Sequence, residues 1–145
     1  MSIRTQLTDK LKEAMKARDA TALDSLRYLL SLVKNVEIDV KRELSDDEII
    51  SLLQKEVKRR REAIEQFKRA GRQDLVDHEE SQMSVLMQFL PKQMSQEEVE
   101  TEVKALVDAL PAKDMSTAMR EIMPKFKGRA DGKMVSDIVK SLLSA

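Results

Sequence analysis

The sequence contains no cysteine and no tryptophan, and only three glycines, three prolines, one histidine and four aromatic residues in 145 positions. Without cysteine there can be neither disulfides nor thiolate metal sites. Gly71, Gly128 and Gly132 are too few and too scattered for a Walker loop or a GxGxxG turn. The lone His78 has no second histidine for an HExxH zinc site. A Ser–His–Asp triad would have to use it, and nothing around it resembles a nucleophile turn. No apolar run approaches membrane-spanning length, and no cation-then-apolar segment opens the chain. These absences predict a cytoplasmic protein with no membrane association, no cofactor, no metal and no catalytic residues.

What is present points to helices. Hydrophobic residues make up 41% of the chain, enough for a core, and charged residues 36%. Nine methionines with abundant Leu, Lys and Glu favour helix, and scarce aromatics argue against sheets. Cations and anions balance at 26 each, but not locally. Lys55–Arg72 holds eight cations against three anions, and Asp74–Glu100 seven anions against one cation. Two antiparallel helices with complementary faces account for that asymmetry.

Periodicity predicts seven helices in an all-α fold. The first, from Ser2 to Ala17, carries Ile3, Leu7, Leu11 and Ala14 on one stripe. Asp19 caps a second helix whose apolar arc, from Leu23 to Val36, covers half its circumference and requires neighbours on two sides. Asp39–Leu44 reads as a loop. Ser45 and Glu48 form a capping box for a third helix that stops at Gly71. Glu56 and Arg60 fall on its apolar stripe, one turn apart, and predict a desolvated ion pair. A fourth helix, Asp74–Leu90, turns Leu75, Met83, Leu86 and Leu90 inward and ends at Pro91. PKQMS is the expected boundary between a four-helix domain, 1–93, and a three-helix bundle, 94–145. In the bundle, Ser95 and Glu98 form a second capping box and Asp114 caps the sixth helix. Val135, Ile138, Val139 and Leu142 line the seventh.

The candidate site is the turn between the last two helices, KFKGRADGK at 125–133. Lys125, Lys127, Arg129 and Lys133 lie within nine residues. The preceding helix is expected to end at Gly128 and the next to open near Asp131. Orphan N–H groups and the positive end of the helix dipole then face the same turn. Fixed donors plus mobile cations suit a phosphate-bearing partner. A solvated helix–helix loop is the other reading of the same residues.

Several stretches together resemble the GatB/YqeY family: Arg27, RREAIEQFKRAGRQDLVDHEE at 60–80, FLPKQMS at 89–95 and MPKFKGRADGK at 123–133. The resemblance spans nearly the whole chain and points to the stand-alone YqeY-like members. It implies an all-helical protein with a four-helix and a three-helix part. The same unit is similar to the tail of the B subunit of the glutamine-dependent aspartyl/glutamyl-tRNA amidotransferase, which is associated with tRNA binding, and to the N-terminal part of some glutaminyl-tRNA synthetases. It therefore implies a tRNA-associated accessory role, with Lys125, Lys127, Gly128, Arg129, Asp131 and Lys133 as the nucleic-acid site. An adaptor that docks on an amidotransferase or an aminoacyl-tRNA synthetase through the acidic fourth helix is the alternative. The family link to carbon–nitrogen ligase chemistry with glutamine as amide donor has no residues here to carry it, because the activating and ammonia-releasing domains are missing. Ser116 and Arg120 stand where glycines are common in the family, and Arg120 is expected to add a cation near the basic turn.

Overall fold

A computed structural model of the chain describes residues 2–144. It contains seven helices and, among the described residues, no strand: α1 Ile3–Ala17, α2 Ala20–Val40, α3 Asp46–Arg69, α4 Gln73–Met87, α5 Gln96–Asp108, α6 Met115–Phe126 and α7 Gly132–Ser144. They group into two compact units, Met1–Leu90 and Pro91–Ala145. The dividing point lies ahead of Gln93, whose side-chain amide donates to the Gly128 carbonyl at 2.7 Å and so belongs with the second unit.

In the first unit, side chains and backbone close each helix end. Ser2 caps α1 and Asp19 caps α2, each accepting the backbone N–H three residues on. Ser45 and Glu48 make the reciprocal capping box of α3. Gly71, at φ 69°, follows the end of α3 in the left-handed region that glycine occupies without strain. Helix α2 packs against α1, α4 and α3, as its wide apolar arc requires. Leu7, Leu26, Leu29, Ile49, Leu53 and Leu86 are fully buried at the centre.

Three expectations fail in this unit. Asp39 and Val40 are helical, and α2 ends at the left-handed Lys41 (φ 59°). Neither glycine nor proline marks that stop. The true loop is fixed from elsewhere: Glu37 accepts the Leu44 N–H at 2.8 Å and pairs with Arg4. The Leu44 N–H first, then Arg4, hold the Glu37 carboxyl below its ordinary range. Helix α4 stops at Met87, three residues before the predicted end. Phe89 and Leu90 donate back to Leu86 and Met87 as a tight turn, which buries the Phe89 ring before Pro91 is reached. Val76, rather than Leu75, is the buried residue in the first turns of α4.

The Glu56–Arg60 pair is buried, at 5% and 8% exposure. Arg60 Nε lies 3.2 Å from Glu56 Oε1, and Arg60 Nη1 donates to Glu79 Oε2 at 2.9 Å and Gln82 Oε1 at 2.8 Å. The pair is thus one part of a network that ties α3 to α4. The Nε contact is close enough for attraction between charges but is not aligned as a hydrogen bond, so Nε is a buried donor without an aligned acceptor. Arg59 extends the network outward, donating to Glu56 at 2.9 Å and to the Tyr28 hydroxyl.

In the second unit α5, α6 and α7 each contact the other two. Val99, Val103, Ala118, Ile122, Val135 and Val139 are fully buried. Ser95 and Glu98 form the second capping box, and Asp114 caps α6 through the Thr117 N–H at 2.8 Å. Ala118 is a fully buried core position of α6. Lys113 donates to the carbonyls of Val107 and Asp108 and so satisfies the open C-terminal end of α5.

Candidate nucleic-acid interface

The basic turn is a scaffolded loop. Pro124 has no N–H for the Arg120 carbonyl, and α6 ends two residues later at Phe126, not at Gly128. Lys127 leaves the helix at ψ 124°, and Gly128 reverses the chain at φ 78°. The N–H groups of Arg129 and Ala130 both donate to the Phe126 carbonyl, at 2.9 and 3.1 Å. Phe126 and Ala130 are buried and anchor the turn on either side. The Asp131 carbonyl accepts the Val135 N–H at 3.1 Å, which puts Asp131 at the N-cap position of α7.

The segment before α5 holds the turn from behind. The Met94 N–H donates to the Arg129 carbonyl at 2.9 Å, and the Gln93 amide donates to the Gly128 carbonyl. Two successive carbonyls are thereby held, and the Arg129 side chain leaves the backbone between them. Sequence reading took Gln93 and Met94 as linker. No local signal reveals their role, since their partners lie 35 residues on.

The predicted cations are not equivalent. Lys125, Lys127 and Lys133 are exposed. Arg129 lies closer in: its Nη1 donates to the Lys125 carbonyl at 3.3 Å, and its Nη2 stands 3.8 Å from Glu102 Oε1. The Glu98 carboxyl is lowered by the Ser95 N–H first and the Ser95 hydroxyl next, with Lys92 and Arg129 adding their charges. Arg129 therefore balances carboxylates of α5, and Lys92 is a cation beside the same carboxylate that sequence reading passed over. Arg120 lies on α6 ahead of the turn. It is about six residues and ~9 Å back along α6, its side chain is 70% exposed, and its charge acts on Asp114 at the opposite end of that helix. The second unit has nine residues of each sign. Five of its nine cations, Lys92, Lys125, Lys127, Arg129 and Lys133, belong to the turn and the segment that braces it, beside the carboxylates Glu98 and Glu102.

Nothing in the turn resembles catalytic machinery. No group of three or more His, Asp or Glu side chains among the described residues could hold a metal ion. No helix among them is long and apolar enough to cross a membrane. His78 is exposed on α4.

The fold and the turn together define an all-helical protein of two small units with a braced basic loop in the second. The chain belongs to the Yqey-like protein family, whose profile matches residues 4–143. It is 35% identical over 94 residues to an uncharacterized protein of Schizosaccharomyces pombe, covering 65% of this chain and 76% of that protein. It is 30% identical over 146 residues to the Altered inheritance of mitochondria protein 41, mitochondrial, of Pyrenophora tritici-repentis, covering 97% of this chain and 80% of that one. The protein of the same name in Lachancea thermotolerans is 31% identical over 127 residues, covering 86% of this chain and 68% of that one.

Proposed function

We propose that the chain is a non-catalytic accessory module that binds tRNA through phosphate contacts at the basic turn. One observation carries the reading: three exposed lysines, Lys125, Lys127 and Lys133, surround a backbone that Gln93 and Met94 pin in place. Pinning lowers the entropy lost when the lysines engage a ligand, which is the physical value of preorganisation. Arg129 and Lys92 complete the patch, and each must share its charge with Glu98. The turn carries no aromatic side chain facing RNA, since Phe126 is buried. Recognition there is by backbone and shape rather than by base stacking. The compartment that goes with this reading is the cytoplasm. The mitochondrial name of the relatives makes the organelle the contrary outcome of a localisation experiment.

A gel shift with bulk tRNA at low and moderate salt tests the reading, run beside a pull-down from ribonuclease-treated extract. A salt-sensitive shift is expected. No shift at low salt, with capture of an amidotransferase or an aminoacyl-tRNA synthetase that survives ribonuclease, would replace it with the adaptor role.

A further inference from the structure

The first unit holds a second site that the basic turn does not use. A recess of about 430 Å³ opens between α2, α3 and α4, lined by Tyr28, Glu56, Arg59, Arg60, Glu79 and Gln82, with Ala63 on its wall. Its floor is polar and buried, whereas a stripe at this position of α3 would ordinarily be filled by Leu or Val. Well-packed apolar side chains in place of a buried ion pair are often neutral or stabilising. Stability alone is therefore a poor reason for this floor. The buried Nε of Arg60 without an aligned acceptor points the same way, since such groups call for a specific explanation.

The hydrogen bonds within the network fix what it presents to a ligand. Gln82 gives its amide oxygen to Arg60, which leaves the amide N–H groups as donors. Glu79 gives Oε2 to Arg60, which leaves Oε1 as an acceptor. The two residues lie one turn apart on α4, so their side chains start about 5–6 Å from one another. Arg59 stands at the mouth, 64% exposed, its guanidinium 5.6 Å from the centre of the Tyr28 ring. Arg60 lies at the same distance from that ring. The recess thus offers a flat cationic surface, a carboxylate and an amide donor, with opposite charges in balance. A phosphate has no use for the carboxylate, and an apolar side chain has no use for either polar arm.

We propose that this recess receives one unpaired nucleobase and that guanine is the base it prefers. The base lies on the Arg59 guanidinium, a stacking surface proteins use for splayed bases. Glu79 accepts the adjacent N1–H and N2–H groups of guanine on Oε1 and on the second lone pair of Oε2, whose first is taken by Arg60, and the Gln82 amide donates to O6. Adenine and cytosine put an acceptor next to their exocyclic amine, and that acceptor would face the carboxylate. The site stands independently of the basic turn, which reads phosphate.

The test uses the full chain with isotope-labelled backbone amides, titrated with guanosine monophosphate, adenosine monophosphate and ribose 5-phosphate. Guanosine monophosphate is expected to move the Ala63, Glu79 and Gln82 signals, with a dissociation constant of about 1 mM or tighter. The preference over adenosine monophosphate should be at least about 5-fold, the low end for one bidentate base contact. Glu79→Gln keeps an acceptor for Arg60 and should erase the preference. Ala63→Phe fills the recess and should abolish the shifts while the melt stays cooperative. Absence of shifts at those three residues, equal response to both nucleotides, an equal response to ribose 5-phosphate, or a preference that survives Glu79→Gln would each overturn the proposal. Shifts confined to 125–133 would overturn it too and would support the phosphate reading of the turn.

Discussion

Arginine is used in opposite ways in the two units. Arg60 in the first is buried, and carboxylate or amide oxygens from two helices surround its guanidinium. The turn in the second unit buries its apolar residues, Phe126 and Ala130, and leaves Lys125, Lys127 and Lys133 in water. Arg129 is intermediate, held near α5 by Glu102 yet still half exposed. A charge inside a network is part of the fold and is costly to disturb. An exposed charge on a braced loop contributes little to the fold. Burial, more than residue type, separates the two roles.

The largest expected effect lies in the first unit. Glu56→Ala leaves Arg60 buried without its i,i−4 partner, and losing one member of a buried pair costs about 3–5 kcal/mol. A double-mutant cycle with Arg60→Met, followed by urea unfolding, should give coupling well above ~1 kcal/mol. A value near ~0.3–0.5 kcal/mol, the worth of an exposed helical pair, would break the contrast.

Next in size is the glycine comparison within the turn region. Gly128 sits at φ 78° in a buried position, so Gly128→Ala should destabilise by about 1–3 kcal/mol. Gly132 lies in the first turn of α7, where an added methyl would meet only the Met123 terminal methyl at an ordinary 3.9 Å. Gly132→Ala should be neutral or gain up to ~1 kcal/mol. Equal losses at both positions would mean that the turn conformation is wrong.

A smaller effect concerns acid. The Glu48 carboxyl is lowered to about 2, by the Arg42 guanidinium first and the Ser45 N–H next. A depressed carboxyl stabilises the folded state fully above its ordinary value of 4.5. That contribution fades as pH falls from there toward about 2. Glu48→Gln removes the titration, so the acid limb of a stability–pH curve should flatten. An unchanged curve between those limits would show that the box contributes no pH dependence.

The division of the chain gives a further test. A fragment ending at Leu90 contains every residue of the first core cluster, and it should melt cooperatively. A fragment from Ser95 lacks Gln93 and Met94, and its turn should lose the two hydrogen bonds that brace it. Extending it back to Pro91 should restore stability. If both versions melt alike, the bracing contributes little.

What was legible in the sequence was local. Both capping boxes and the Asp19 and Asp114 caps depend on residues three apart, and all four are where the pattern placed them. The Glu56–Arg60 pair was legible because four residues on a helix is also a local spacing. The missed ends share a cause. Lys41 takes the left-handed conformation without being glycine, so α2 carries no stop signal. Helix α4 ends because Phe89 finds a buried place, which is a tertiary event. In the candidate site the cations and the turn could be read, but the bracing by Gln93 and Met94 could not. Nor could the capture of Arg129 by α5 carboxylates, because Glu102 is distant in sequence.

The most direct test of the central claim is the salt dependence of tRNA binding by the full chain and by a Lys125→Ala, Lys127→Ala, Lys133→Ala variant. Each phosphate contact contributes a slope in log K against log salt of about −0.7 to −0.9. With Arg129 as a fourth contact, the unaltered chain should give about −3. The variant should lose roughly 2 to 3 of those units and keep its stability, since exposed substitutions usually fall within about 0.5 kcal/mol. The account is contradicted if the variant binds with the same slope, and most plainly if changing Lys58 and Arg61 on α3 abolishes binding instead.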